Sequence, residues 1–338
     1  MLKRRIKELW QLCFQDNEAF TELYFTRRYN NEVNISIQSG EEVIAAMQTL
    51  PYPMTFCGEI IPTAYVSGAC THPDYRNKGV MMELLSQAFA RMHSQGILLS
   101  SLIPANNSLF QYYRKSGYAS VFNYAEKTIH IEQVIEKKKR LKIKVSDEFK
   151  EETYQYFYQK MEERPCCIQH TVNDFKVILA ALKLEEGKIL IAKEKEKICG
   201  IALCHPTGNT VLVDEIVTED TEIKNSLIAE ASQLWQCNKI TILSPGDTES
   251  MNKQLGMIRI IDAKKVLQLF AAAFPSKEMS LELTDNNISS NNGYYYITNG
   301  KCMKSNERLF RTHRKYTVET LAEEIFPPLH PYMSLMLN

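Results

Sequence analysis

Arg76 and Gly79 stand three residues apart in "CTHPDYRNKGVMMELL" (residues 70–85), where a strand hands over to a helix. A turn that grips a phosphate needs backbone N–H groups pointing inward and no obstructing Cβ, and Gly79 supplies the room. The helix N-terminus adds partial positive charge. Arg76 adds a cation with several donors in a rigid fork. The spacing matches neither the phosphate loop of nucleoside triphosphatases nor the Gly-x-Gly-x-x-Gly of dinucleotide folds. A second constellation follows in "NNSLFQYYRKSGY": Asn106, Leu109, Tyr113, Gly117 and Tyr118. A tyrosine there is either a half-buried packing residue or a proton donor with a reference pKa of about 10.

The surrounding pattern supplies elements to hold these residues. Ile6, Leu9, Trp10 and Cys13 fall on one face of an N-terminal helix. Asp16 can cap a second helix through about Arg28. "VNISIQSGEEVIAAMQTL" reads as a hairpin turning at Ser39-Gly40, and strands follow in "MTFCGEII" and "AYVSGACT". The helix after Gly79 aligns Val80, Leu84, Ala88 and Met92. "GILLSSLIP" has the form of a buried strand, and a helix from about Asn106 to Ser116 meets Gly117 as its left-handed cap. "YASVFNYAEKTI" is strand again. The basic run "IEKKKRLKIK" reads better as a solvated connector than as a strand.

A similar order recurs from about residue 140 to 257. Helices are expected near 147–162 and 173–184, with strands "KILIAK", "ICGIALC" and "TVLVDEIV". A helix near 222–235, strand "KITILS", a short helix and "QLGMIRII" complete the segment. The match suggests an internal duplication. Beyond about Arg259, helix "DAKKVLQLFAAAF", strands "MSLELTD" and "GYYYITNGKC", helix "TVETLAEEIF" and the tail "PPLHPYMSLMLN" make a small α+β unit. The fold class expected is α+β, in mixed sheets, with divisions at 1–139, 140–257 and 258–338.

Composition narrows the function. The chain has 338 residues, 44% of them apolar, and 40 basic residues balance 40 acidic ones. This neutrality gives no argument for nucleic acid or an anionic membrane surface. No apolar run approaches the roughly 18 to 20 residues of a membrane span, and the basic start lacks the form of a signal peptide. Nine scattered cysteines without a Cys-x-x-Cys pair suit reduced thiols in a cytoplasmic protein rather than a metal site.

The turn resembles motif A of the GNAT acetyltransferases, Gln/Arg-x-x-Gly-x-Gly/Ala, which grips the pyrophosphate of acetyl-CoA. Here it reads Arg76, Asn77, Lys78, Gly79, Val80, Met81, with Met81 in the final small-residue slot. Motif B of that family resembles the second constellation, with Asn106, Leu109 in the alanine slot, Tyr113, Gly117 and Tyr118. The order of a GNAT domain, a second GNAT-like domain and a small α+β domain is similar to the Eis (enhanced intracellular survival) acetyltransferases, whose third domain is sterol-carrier-like. The resemblance implies an N-acetyltransferase in which a primary amine of a small molecule or peptide attacks the thioester of acetyl-CoA directly, with no metal. It implies contacts to the pantetheine arm from Ala69, Cys70 and Thr71, and to the diphosphate from residues 76–81, with Asn106 nearby. Tyr113 is implied as the acid for the leaving thiolate. The base implied is the chain's terminal carboxylate, here on Asn338, although this tail ends Met-Leu-Asn where family tails end in an aromatic. A homo-oligomer, often a hexamer, is also implied.

Two further expectations concern the cleft. Phe20, Tyr24, Phe25 and Tyr29 form a helical aromatic stripe that is either core or, as the resemblance implies for Tyr24 and Phe25, a wall of the acceptor site. Aromatics with Asp16 and Glu22 would suit a cation, and a polyamine, an aminoglycoside-like amine, a peptide N-terminus and a lysine remain open. In the second segment Ile223 and Ser226 fall where Arg76 and Gly79 stand, and Asn252 where Tyr113 stands. Glu219, Asp220 and Glu222 would repel a diphosphate, so this copy is expected to keep the fold without the chemistry. His72 and His93 are expected as turn and structural residues. The competing expectation is a catalytically idle CoA-binding or lipid-binding module.

Overall fold

The computed structural model describes residues 2–134, 141–246, 253–309 and 312–337. Helix α1 (Leu2–Cys13) buries Ile6, Leu9 and Trp10. Helix α2 (Glu18–Arg27) is capped by Asn17, whose side chain accepts from the Phe20 N–H at 2.7 Å. Asp16, the expected cap, instead accepts from Trp10 Nε1 at 2.8 Å and ties the two helices together. There follow β1 (Asn34–Ser39), β2 (Glu42–Phe56), β3 (Glu59–Thr71), α3 (Val80–Ser94), β4 (Leu99–Leu102), α4 (Asn107–Arg114) and β5 (Ala119–His130). The β1–β2 turn falls at Gly40, φ +61°, as the pattern predicts.

The second half contains β6 (Lys142–Ser146), α5 (Glu151–Glu162), β7 (Cys166–Ile168), α6 (Val172–Leu184), β8 (Lys188–Glu194), β9 (Lys197–Thr207), β10 (Thr210–Thr218), α7 (Thr221–Trp235), β11 (Lys239–Pro245) and β12 (Lys253–Ile260). The basic run divides. Residues 135–140 lie outside the described residues, while β6 is an edge strand on β8 rather than a connector. Its alternating Ile143 and Val145 pack beside the core under α7, which is what makes it a strand. The short helix expected before β12 also falls outside the described residues.

One twelve-stranded mixed sheet runs through both halves in the order β1-β2-β3-β4-β12-β5-β11-β10-β9-β8-β6, with β7 on β2. Its centre is palindromic. The last strand of the second half, β12, inserts antiparallel between β4 and β5 of the first. The last strand of the first half, β5, in turn pairs antiparallel with β11. Each half thus completes the other, and β3–β4 and β10–β11 are the corresponding parallel pairs. Sequence order alone does not reveal this exchange, because both strands are simply the next apolar run.

The remainder forms α8 (Ala263–Ala273), β13 (Met279–Thr284), β14 (Gly293–Thr298), β15 (Lys301–Ser305), β16 (Arg314–Thr317) and α9 (Val318–Ile325). The four strands make a second sheet, β15-β14-β13-β16. α9 packs between this sheet and β12/β5 of the large one. A buried ion pair fixes the junction: the fully buried Arg259 donates to Asp285 at 2.7 Å and to the Ser116 carbonyl at 2.8 Å. Removing one partner would strand a buried charge.

Candidate active site

The parallel β3–β4 ladder is short. It pairs Thr63 with Leu99, Ala64 with Ser100 and Tyr65 with Ser101, then stops. β3 continues to Thr71 while β4 ends at Leu102, so the strands part and open a wedge. On the β2 side, Cys70 pairs with Ala46 and Ser67 with Gln48, leaving Gly68 and Ala69 opposite Met47 alone. This bulge removes backbone N–H groups from the ladder. Only glycine fits its first position: Gly68 has φ +60°, and a Cβ there would lie 2.0 Å from the Trp10 ring.

Past Thr71 the chain makes the turn that the sequence singled out. His72 Nδ1 accepts the Asp74 N–H at 3.3 Å, and the Arg76 N–H donates to the Pro73 carbonyl. Arg76 Nε donates to the Thr71 carbonyl at 3.2 Å, which anchors the guanidinium beside the end of β3. Asn77 (φ +60°) and Gly79 (φ +81°) are both left-handed. Gly79 is the N-cap of α3 and offers no side-chain cap, and the position of a Cβ there faces open space. The first N–H groups of α3 therefore point outward with no intrahelical partner. Arg76, Asn77, Lys78 and Gly79 are exposed, while Val80 and Met81 are half-buried against the α3 core. The turn fits a diphosphate: exposed cations, a positive helix end and an unfilled approach.

Cys70 is buried beneath α1, so it faces the wedge through its backbone alone. Cys13, which sequence reasoning placed only on a helix face, joins it. Its thiol donates to the Thr71 carbonyl at 3.3 Å. A hydrogen bond from Cys70, with Arg76 and His72 assisting against burial, lowers its pKa, so the bond to Thr71 belongs to the protonated form. Nothing in the spacing of residues 13 and 70 signals the pairing.

Asn106 is the N-cap of α4. Its side chain accepts from the Ser108 N–H and hydroxyl. Tyr113 lies near the other end of the same helix, 8% exposed, its ring 5.5 Å from Tyr112 and 5.9 Å from Tyr118. Burial pushes its hydroxyl up to about 12, so it stays protonated at neutral pH. Tyr118 instead shares a buried hydrogen bond with Ser100. Tyr24 donates to Ser67 on β3 at 2.8 Å, and Phe25 is buried among Trp10, Tyr24 and Tyr29. His93 bonds Ser290, between β13 and β14.

A cavity of ≈760 Å³ reaches Ile103, just past the end of β4, but neither residues 67–81 nor Tyr113 line it. Its floor is one face of the sheet: Tyr124 and Glu126 on β5, Thr241 and Leu243 on β11, Leu212 and Asp214 on β10, Leu203 and His205 on β9. Phe20 and α6 cover it, and residues 332–337 of the tail form one wall. The tail is clamped. The Tyr332 N–H donates to the Cys166 carbonyl at 2.8 Å, and the Ile168 N–H to the Tyr332 carbonyl. The Tyr332 and Ser334 hydroxyls each donate to Glu215 at 2.6 Å. His170 Nε2 bonds the Ser334 carbonyl at 3.0 Å, and Arg164 stacks 4.1 Å over the Tyr332 ring. Asn338 lies outside the described residues.

In the second half β10 ends at Thr218 and α7 begins at Thr221. The Asp220 side chain takes the Ile223 N–H at 2.7 Å, occupying the helix end that stands open in the first half. Ile223 and Ser226 are buried, and Asn252 lies outside the described residues. Among the described residues no cluster of three His, Cys, Asp or Glu could hold a metal, and no helix is long and apolar enough to cross a membrane.

Residues 3–121 match the family model described as an acetyltransferase (GNAT) domain. Solved structures share the fold across nearly the whole chain. A GCN5-related N-acetyltransferase from Anabaena variabilis aligns with TM-score 0.77 and 18% identity, covering 94% of this chain and 86% of its own. A probable N-acyltransferase from Enterococcus faecalis aligns with TM-score 0.76, 17% identity and coverages of 95% and 86%. Eis1 from Mycobacterium abscessus gives 0.76, 13%, 96% and 87%. No curated protein matches the sequence. Residues 3–121 are a GNAT acetyltransferase domain, and GNAT domains use acetyl-CoA as co-substrate. Its acetyltransferase domain makes the chain an acyltransferase, and its mixed α/β, GNAT-like fold is shared with these structures.

Proposed function

We propose that the chain is an acetyl-CoA-dependent N-acetyltransferase acting on a primary amine in the cavity between the halves. One observation carries this: a single strand, β3, bears the freed edge, the bulge and the uncapped turn in succession. That succession suits a long cofactor with a thioester at one end and a diphosphate at the other. Acetyl-CoA supplies an activated acetyl group there. Arg76, Asn77, Lys78 and the amides of Gly79, Val80 and Met81 hold the diphosphate. The backbone of Ala69, Cys70 and Thr71 aligns the pantetheine arm, and an N–H freed at the Gly68–Ala69 bulge steadies the carbonyl oxygen as it gains charge. Asn106 fixes the start of α4 and so the placement of Tyr113.

The balance of the transfer is simple. The amine nitrogen forms the new C–N bond, the C–S bond breaks, the amine gives up a proton and the departing sulfur takes one. Tyr113 holds a proton for the sulfur. The apolar surroundings that raise its own pKa also raise the basicity of a thiolate, as burial does for Cys166 and Cys204. The clamped tail, with Leu337 on the cavity wall, supports delivery of the Asn338 carboxylate as the base. Tyr24, through Ser67, and Phe25 brace the acceptor side of β3. The three-part division at about 139 and 257, a sterol-carrier-like third part, a homo-oligomer up to a hexamer and a cytoplasmic setting complete the reading. Thiol release from acetyl-CoA across an amine panel tests it. Acetylated amine and stoichiometric free CoA are expected. Thermal stabilisation by CoA with no transfer to any amine would favour an idle CoA-binding module instead.

A further inference from the structure

We propose that the cavity selects an elongated amphipathic amine, with one amine at the wedge, an apolar chain, and a second cationic group held by Asp214, His205 and Glu185. This deepens the proposed function and rests on it. The placement of Asp214 follows from a second bulge. Val213 pairs with Cys204 and Glu215 with Leu203, so Asp214 is an extra residue on β10. Without it, consecutive side chains would point to opposite faces. With it, Asp214 and Glu215 share one face. Glu215 is taken by the tail hydroxyls. Asp214 is left to the cavity, 2.9 Å from His205 Nδ1.

The charge along the cavity is uneven. Among the described residues its lining contains Glu126, Glu185, Asp214 and His205 but no Lys or Arg. Glu126 is neutralised by Lys253 at the rim. Glu185, at the end of α6, acts electrostatically on His205. Net negative charge therefore collects at the β9/β10 end. Between that end and the first half, Ile178, Leu182, Leu212 and Leu243 make the walls. A polyhydroxylated acceptor would leave hydroxyls unmatched against them, whereas methylenes lose water at a gain. With Leu255 of β12 added to the floor on β5, β11, β10 and β9, the lining crosses four strand spacings or roughly 19 Å, which calls for a long chain. A long acyl group on the donor would suit the walls but has no use for the carboxylates.

Acetyl transfer to diaminodecane, decylamine and diaminobutane, followed by thiol release, tests the assignment, with calorimetric binding of diaminodecane measured alongside. A kcat/KM for diaminodecane roughly tenfold or more above each of the other two is expected from one charge-assisted contact. The Glu185→Gln/Asp214→Asn variant should bring the diaminodecane-to-decylamine ratio near one. Glu185→Gln alone, at an exposed helix end, should lower it in part should the double variant fold poorly. A ratio near one in the unaltered protein, a ratio unmoved in both variants, or faster turnover with decanoyl-CoA than with acetyl-CoA would overturn the proposal. Were no amine acetylated, the transferase reading would fail on its own. Diaminodecane binding that weakens in the variants would then still support the cavity assignment, and absent binding would overturn it.

Discussion

The two halves of this chain end a strand and begin a helix in the same topological place, and they finish the turn in opposite ways. In the first half eight residues, 72–79, separate β3 from α3, and Gly79 leaves the helix end open. In the second, Glu219 and Asp220 alone separate β10 from α7, and Asp220 plugs the helix end with its own carboxylate. The bulges differ in the same sense. At Gly68–Ala69 the first half frees backbone amides toward a wedge. At Asp214 the second half gathers two carboxylates on one face, one for the tail and one for the cavity. On the proposed reading, the two corresponding turns and bulges serve an anion in the first half, and cations and the chain's own tail in the second. The strand exchange through β5 and β12 keeps the two in one sheet.

The largest effect expected from breaking this asymmetry is on turnover. Tyr113→Phe should lower kcat by roughly 10²- to 10⁴-fold while acetyl-CoA affinity stays nearly unchanged, as steady-state kinetics beside calorimetry would register. Equal turnover would remove Tyr113 as the acid. Next comes the bulge. Gly68→Ala forces a Cβ against Trp10 in a left-handed conformation and should cost roughly 2–5 kcal/mol of stability. Gly208→Ala, in the second half, has φ +57° and open space, and should cost only about 1 kcal/mol. Urea denaturation of both variants compares them, and similar losses would mean that the bulge is no tighter than an ordinary turn.

A third effect separates the halves by pH. His170, which holds the Ser334 carbonyl, is kept neutral by burial, its pKa lowered from 6.5 to about 4. Its depressed pKa contributes stability that is present above pH 6.5 and lost as the pH falls toward 4, on the order of 3 kcal/mol. Glu215, whose carboxyl burial lifts above its usual range, works in the opposite sense and softens the loss. Amide exchange should therefore show residues 332–337 loosening between pH 6.5 and 4 before β3 and α3 do. Simultaneous loosening would argue against a tail held by His170.

Much of the first half was legible because its signals are local. Gly79, Gly117 and the α3 stripe each state their conformation within a few residues, and the family motifs lie on them. In the second half the acidic character of Glu219, Asp220 and Glu222 was legible, but not that Asp220 would cap α7. What stayed hidden depends on pairing between distant residues. The Gly68 bulge requires Trp10, Cys13 meets Cys70 only through the packing of α1, and β7 is too short to carry a period. The expected Asp16 cap gave way to Asn17 because Trp10 claimed the aspartate. The roles of Glu215 and His170 arise from a tail more than a hundred residues away in sequence, and no spacing rule reaches that far.

The contrast between an open and a plugged helix end is tested most directly by titrating CoA into the protein and into its Arg76→Glu variant. One site per chain is expected, weakened at least tenfold in the variant by loss of a charge-assisted contact. Two sites per chain, no site at all, or a single site indifferent to Arg76→Glu would contradict the account.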